Sequence, residues 1–218
     1  MDERDERFGK ERKELIASLI SGGYLRSKNV IDAMLSVPRH EFLPENRRTY
    51  SYNDSPVSIG FGQTISAPHM VAMMTEYLDV KPEHKILEIG SGSGYQAAIL
   101  AELANRGKII TVERIKELAD FARENLNRLK YKNVEIIHWE GTRGYEKEAP
   151  YDRIIVTAAA PKIPDALIEQ LKNNGKILIP VGGRMMQTLL LVEKKNGKIK
   201  KRDICGCVFV PLIGKNGW

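Results

Sequence analysis

Between residues 84 and 180 the chain alternates two rhythms, and this alternation limits its fold more than any other feature. Five short apolar runs read as strands: Lys85–Ile89, Lys108–Glu113, Val134–Ile137, Arg153–Thr157 and Lys176–Pro180. Helical stretches separate them at Tyr95–Leu103, Ile115–Leu129 and Asp165–Leu171. Near-continuous apolar strands are buried on both faces, and repeated βα units lay them parallel with helices on each side. Before this core, Arg12–Ile20 reads as a helix with Leu15, Ile16, Leu19 and Ile20 on one side, ended by Gly22-Gly23. A second helix, Lys28–Ser36, stops before Pro38, and a third starts at Pro68 and runs through Leu78. Residues 39–65, with Pro44, Pro56, Gly60 and Gly62, read as mostly irregular. After the core, Thr188–Lys194 and Cys205–Leu212 read as an antiparallel strand pair turning at Asn196-Gly197. The expected organisation is a single domain over 1–218. It comprises an N-terminal helical segment on the substrate side (1–80), a cofactor-binding βα core (84–180) and a C-terminal strand pair (181–218).

A hydrophobic fraction of 42% supplies a full core for one domain of 218 residues. No apolar run reaches the roughly 18 residues of a membrane-spanning helix. Met1–Arg7 is highly charged and has no apolar stretch of the secretory kind, so a cytoplasmic protein with no membrane partner is expected. Cys205 and Cys207 are spaced for packing rather than for a disulfide, and four scattered His give no metal-ligand cluster. The net charge of +6 raises a nucleic-acid reading, but 28% of residues are charged and both signs are mixed along the chain. We therefore expect no nucleic-acid partner. A mild positive field would still attract an anionic substrate, and a monomer is expected.

The strongest local signal follows the first core strand: Glu88-Ile89-Gly90-Ser91-Gly92-Ser93-Gly94-Tyr95. Glycines at a strand-to-helix turn let a ligand approach the backbone, and the following helix offers free N–H groups. A dinucleotide fingerprint places its third glycine one residue later, where Tyr95 stands. Glu113, with Arg114 beside it, closes the second strand, where an acidic side chain accepts bonds from both hydroxyls of a ribose. Glu140-Gly141 follows the third strand. A tight turn without a ligand and a solvated strand-end glutamate are the plainer readings of these residues.

The tighter Gly-x-Gly-x-Gly after an acidic strand residue resembles motif I of the class I methyltransferases, which use S-adenosyl-L-methionine. The stretch Gly62-Gln63-Thr64-Ile65-Ser66-Ala67-Pro68-His69-Met70 is similar to the signature of the protein-L-isoaspartate O-methyltransferases. Ala149-Pro150-Tyr151-Asp152, Ala158-Ala159-Ala160-Pro161, Pro180-Val181-Gly182 and Val210-Pro211-Leu212 follow in the family's order, so the resemblance covers roughly residues 8–213. Glu140-Gly141-Thr142 departs from the family's common Asp-Gly-Arg.

The resemblance implies a class I, Rossmann-like α/β fold. Its doubly wound, mostly parallel sheet has seven strands, antiparallel at the C-terminal end. It also implies methyl transfer from S-adenosylmethionine to the α-carboxylate of isoaspartyl residues in damaged proteins and peptides, leaving S-adenosylhomocysteine. The ester then collapses to a succinimide that hydrolyses in part to normal aspartate, which is repair. Glu88, Gly90, Ser91, Gly92, Gly94, Glu113, Arg114, Glu140 and Gly141 are assigned to the cofactor. Thr64, Ser66, His69 and Gln187 are assigned to the substrate, with Ser66 as the catalytic residue that orients the acceptor through its hydroxyl. A helix N-cap is the competing reading of Ser66, and a packed surface histidine that of His69. Among rival functions, amino-group nucleic-acid methylation lacks its Asn/Asp-Pro-Pro-Tyr at Thr157-Ala158-Ala159-Ala160, and cytosine-C5 methylation lacks a cysteine there. The glycine spacing disfavours a nicotinamide oxidoreductase, and the intact motifs disfavour a silent cofactor-binding module.

Overall fold

The computed structural model describes residues 3–218. Its elements run α1 (Glu3–Ser21), α2 (Lys28–Ser36), β1 (Val57–Gly60), β2 (Gln63–Ile65), α3 (Pro68–Leu78), β3 (Lys85–Ile89), α4 (Tyr95–Leu103), β4 (Lys108–Glu113), α5 (Lys116–Arg128), β5 (Val134–His138), β6 (Tyr151–Val156), α6 (Asp165–Glu169), β7 (Leu171–Gly182), β8 (Gln187–Lys195) and β9 (Lys198–Cys207). The main sheet has seven strands in the order β5-β4-β3-β6-β7-β8-β9. Pairings among β3 to β7 are parallel, and β7–β8 and β8–β9 are antiparallel. Chain order reverses between β3 and β6, which opens a crevice at their carboxyl ends.

Strand residues alternate between two cores. Ile86, Ile109, Ile155 and Leu178 face the layer built from α1 to α5. Leu87, Ile89, Ile110, Val112, Ile154, Val156, Ile177 and Ile179 face a second core with Leu167 of α6 and Leu212. Both faces are dry, which is why these strands show no polar alternation in sequence.

Three expectations change. The first helix starts at Glu3 rather than Arg12, because its charged first half is stitched by the i,i+4 pairs Arg7–Glu11 and Lys10–Glu14. The stretch expected to be irregular holds two 3-10 turns, Arg39–Phe42 and Glu45–Tyr50, and the antiparallel hairpin β1–β2. That hairpin closes through Gly60, Phe61 and Gly62, with φ of 92°, 53° and 69°. The last strand lies at Lys198–Cys207, not Cys205–Leu212. Its first half is an exposed run of Lys and Arg on the sheet's edge, a composition that guards an edge against further pairing and hides a strand from a reading based on apolarity. The apolar run after it leaves the sheet and crosses the strand ends instead. There Ala159 N–H donates to Val210 O (2.8 Å), and Leu212 N–H donates to Ala159 O (2.7 Å).

Candidate active site

The crevice between β3 and β6 opens into a cleft of about 1020 Å³, part of it open to solvent. One wall is the glycine turn after β3, with the ends of β4 and Gly141. The opposite edge is Gln63–Ser66, and Val210–Ile213 close one side.

The glycine turn is built from the backbone up. Gly90, Gly92 and Gly94 take φ of 96°, 52° and 90°, which side chains disfavour. The N–H groups of Gly90 and Ser91 both reach Val112 O, at 2.8 and 3.3 Å. Gly90 lies so close to β6 that a Cβ there would sit 2.4 Å from Thr157 Oγ1. A Cβ on Gly141 would sit 2.4 Å from Ile89 Cγ2, so only glycine fits beside the strand end. Gly94 serves differently. It starts α4 and packs under Leu126 and Ala122 of α5, and it does not line the cleft.

Glu113 ties this wall together. One carboxylate oxygen accepts from Gly92 N–H (3.1 Å) and the other from Ile115 N–H (2.9 Å). Each oxygen keeps a second lone pair, and the side chain lines the cleft. Arg114 also lines it and is exposed. Glu88 is fully buried at the cleft floor. Its Oε2 accepts from Thr111 Oγ1, which in turn meets Ser91 Oγ at 2.6 Å. Its Oε1 has no partner. Burial raises its carboxyl pKa to about 8, the Glu113 charge adds to the rise, and the Thr111 bond opposes it.

The opposite edge depends on side chains from afar. Thr64 and Ser66 line the cleft. Ser66 O accepts from Arg39 Nη2 (2.8 Å), while the Ser66 hydroxyl forms no hydrogen bond among the described residues. The N-cap position of α3 falls on Ala67, and the Asp54 carboxylate takes the N–H of His69 (2.8 Å). Asp54 thus does the capping that Ser66 would otherwise do. His69 lies outside the lining, with Nδ1 2.9 Å from the same Asp54 oxygen and its ring 5.3 Å from that of Tyr24.

Gln187 and Glu140 also stand behind the cleft surface. Gln187 is buried, donates to Gly183 O (2.6 Å) and accepts from Phe209 N–H (2.8 Å), which anchors the segment that brings Val210–Ile213 to the cleft. The Glu140 carboxylate bonds the N–H (2.7 Å) and hydroxyl of Thr142 and faces Gly214 of the C-terminal tail. Thr157, Gln96, Met74 and Val210–Ile213 also line the cleft, although no site role was expected for them from sequence. Thr157 directly follows the last residue of β6, and that strand-end position is the one local signal among them.

The donor set fits a cofactor with a ribose, a cationic part and a flat base. Glu113 offers free acceptor lone pairs, Glu88 an orphaned buried oxygen, and Gly90, Gly92 and Gly141 present bare backbone to the cleft. Comparison with known proteins agrees. The family model of protein-L-isoaspartate (D-aspartate) O-methyltransferases matches residues 10–217. The chain belongs to this family. A Methanopyrus kandleri protein-L-isoaspartate O-methyltransferase is 58% identical, over 100% of this chain and 98% of its own. One from Hyperthermus butylicus is 53% identical, over 99% and 94%. A Plasmodium falciparum family member, solved in complex with S-adenosyl-L-homocysteine, superposes with a TM-score of 0.83 at 35% identity, covering 93% of this chain and 98% of that one. Among the described residues no helix is long and apolar enough to cross a membrane.

Proposed function

We propose that this cleft holds S-adenosylmethionine along its glycine wall and receives an isoaspartyl α-carboxylate at the Thr64–Ser66 edge. The protein is a protein-L-isoaspartate O-methyltransferase that starts the repair of damaged proteins and peptides. When bound, the cofactor supplies a methyl group on a sulfonium, a good leaving group. The acceptor carboxylate is ionised at pH 7, so no general base and no covalent enzyme intermediate are needed. The chain's task is positioning and water exclusion, which in a near-attack geometry is worth several kcal/mol.

Glu113 accepts the ribose hydroxyls. Gly90, Ser91 and Gly92 allow close backbone approach, and the Gly141 backbone lines the cleft on the side of the base. Glu88 faces the cationic end. Ser66 orients the acceptor through its unused hydroxyl, with Thr64 as a second donor. Both are neutral, so they align the carboxylate without quenching its lone pair. Gly94, Gln187 and Glu140 support the lining from behind, and His69 belongs to the Asp54 cap. In this scheme residues 1–80 serve the acceptor, 84–180 the cofactor, and 181–218 close the cleft. The scheme needs no second copy, nucleic acid or membrane.

What carries the reading is the free Ser66 hydroxyl on the cleft edge facing the glycine wall. The test is transfer of label from S-adenosylmethionine to an isoaspartyl peptide, its aspartyl twin and RNA. Base-labile label on the isoaspartyl peptide alone is expected. Equal label on the aspartyl twin, or label on RNA only, would refute it.

A further inference from the structure

We propose that Arg39 is the electrostatic anchor of the acceptor site. Its buried guanidinium, one peptide group behind Ser66, holds the Thr64–Ser66 edge and supplies the positive charge toward which the substrate carboxylate binds. The inference rests on the acceptor site placed at Ser66 above.

Arg39 opens the 3-10 turn Arg39–Phe42 and is fully buried. Its Nε donates to Ser51 O (2.8 Å) and its Nη2 to Ser66 O (2.8 Å). The guanidinium carbon lies 4.9 Å from the centre of the Tyr95 ring, and Tyr95 itself lines the cleft. Nη1 makes no well-formed hydrogen bond, although the Tyr95 side chain lies close enough to support the guanidinium. Arg39 forms no ion pair with any carboxylate among the described residues; Asp54 acts on it only at longer range and is engaged with His69. Burial pushes its pKa down, and Tyr95, Tyr52 and Asp54 offset this in part.

A buried charge without a counter-charge is costly to a fold. Two backbone carbonyls alone do not require a cation, since a neutral amide can serve one and water or a hydroxyl the other. What a cation adds here is a field at the neighbouring cleft edge, where an anion has to bind. In a poorly polarisable surrounding that field reaches beyond hydrogen-bond distance. A guanidinium touching the acceptor oxygen would tie up the lone pair that must attack the methyl group. Set behind the Ser66 peptide, Arg39 attracts the carboxylate and leaves that lone pair free. It acts through Ser66 and through its field, so it is a positioning residue.

The experiment measures binding of an isoaspartyl peptide and its α-carboxamide twin to the enzyme saturated with S-adenosylhomocysteine, where no turnover occurs. Wild type, Arg39→Gln and Arg39→Lys are compared. Wild type is expected to prefer the acid by about tenfold or more, or about 1.4 kcal/mol. Arg39→Gln should lose that preference to within about threefold, while its affinity for S-adenosylhomocysteine stays unchanged. Arg39→Lys should keep the preference but lose kcat, because a point charge cannot span both carbonyls. The proposal is overturned if Arg39→Gln keeps the wild-type preference, if Arg39→Lys loses it as fully as Gln, or if wild type shows none. Should Arg39→Gln fail to fold, the wild-type and Arg39→Lys measurements still decide. Absence of isoaspartyl methylation by the unmodified protein would instead refute the proposed function, so the two failures are distinct.

Discussion

The two walls of the cleft are built by different means. The glycine wall is made by local backbone: a strand end, three glycines with positive φ, a helix start and the carboxylate that closes the next strand. The acceptor edge is held by side chains from distant parts of the chain. Arg39 reaches across 27 residues to Ser66 and Asp54 across 15 to His69, and on the adjoining side Gln187 reaches across 22 to Phe209. The first wall is therefore rigid with the sheet, and the second is only as fixed as its ties. Substitutions on the glycine wall should act on cofactor binding, and those on the acceptor edge on peptide kinetics.

The largest effect on cofactor affinity should come from Gly92→Val. Gly92 has φ of 52°, and a Cβ there would lie 3.3 Å from Ile59 Cδ1, so a branched side chain strains the turn and pushes the β1–β2 hairpin outward. S-adenosylmethionine affinity should fall by at least about 100-fold, or about 2.8 kcal/mol. Calorimetry showing near-normal affinity in a folded variant would break the division between the walls.

Next comes the pH response at Glu88. Its folded pKa of about 8 lies above that of an exposed glutamate, so the folded state holds a proton that the unfolded state has lost. The unfolded group ionises near pH 4.3, and stability from this site falls as pH rises from there towards 8. The loss is at most about 4–5 kcal/mol. Cofactor-free wild type should therefore lose stability relative to Glu88→Gln between pH 5 and pH 9. A constant difference in denaturation free energy across that range would reject the assignment.

Glu113→Ala should weaken S-adenosylmethionine binding by about 2–3 kcal/mol, since it removes a charged acceptor and frees the Gly92 and Ile115 amides. Glu113→Gln should lose less. If peptide KM changes in Glu113→Ala while cofactor affinity does not, Glu113 serves the acceptor instead.

The same contrast explains what was readable in sequence. The βα core, α2, α3 and the glycine wall follow from local patterns, and Glu113 and Gly141 stand where strand ends put them. The β1–β2 hairpin was hidden by its Pro and Gly content, and β9 by its exposed lysines. Gly94 reads as a ligand contact in sequence because it belongs to the motif, yet its missing side chain makes room for Leu126. Likewise Glu140 commits its carboxylate to Thr142 and does not line the cleft. Arg39, Asp54 and Gln187 show no periodicity or spacing that marks them, because their partners lie in other elements and become neighbours only on folding.

The smallest effect is the sharpest test of the acceptor edge. Ser66 precedes a helix in a stretch that reads equally well as an N-cap, but Asp54 occupies that role. Ser66→Ala should therefore cost about 1–2 kcal/mol in kcat/KM for isoaspartyl peptide, as expected for one orienting hydrogen bond. Its melting temperature and cofactor affinity should match wild type. Asp54→Ala should do the reverse, losing about 1 kcal/mol of stability through the cap and changing peptide kinetics less. Because Asp54 also bonds the His69 ring, His69→Ala separates the two bonds of that carboxylate: it should keep the cap and most of the stability. If Ser66→Ala is destabilised while its kcat/KM stays at the wild-type value, the serine is the cap after all. The acceptor would then be oriented by Thr64 or by backbone amides, and the acceptor edge would be defined by local backbone like the wall opposite.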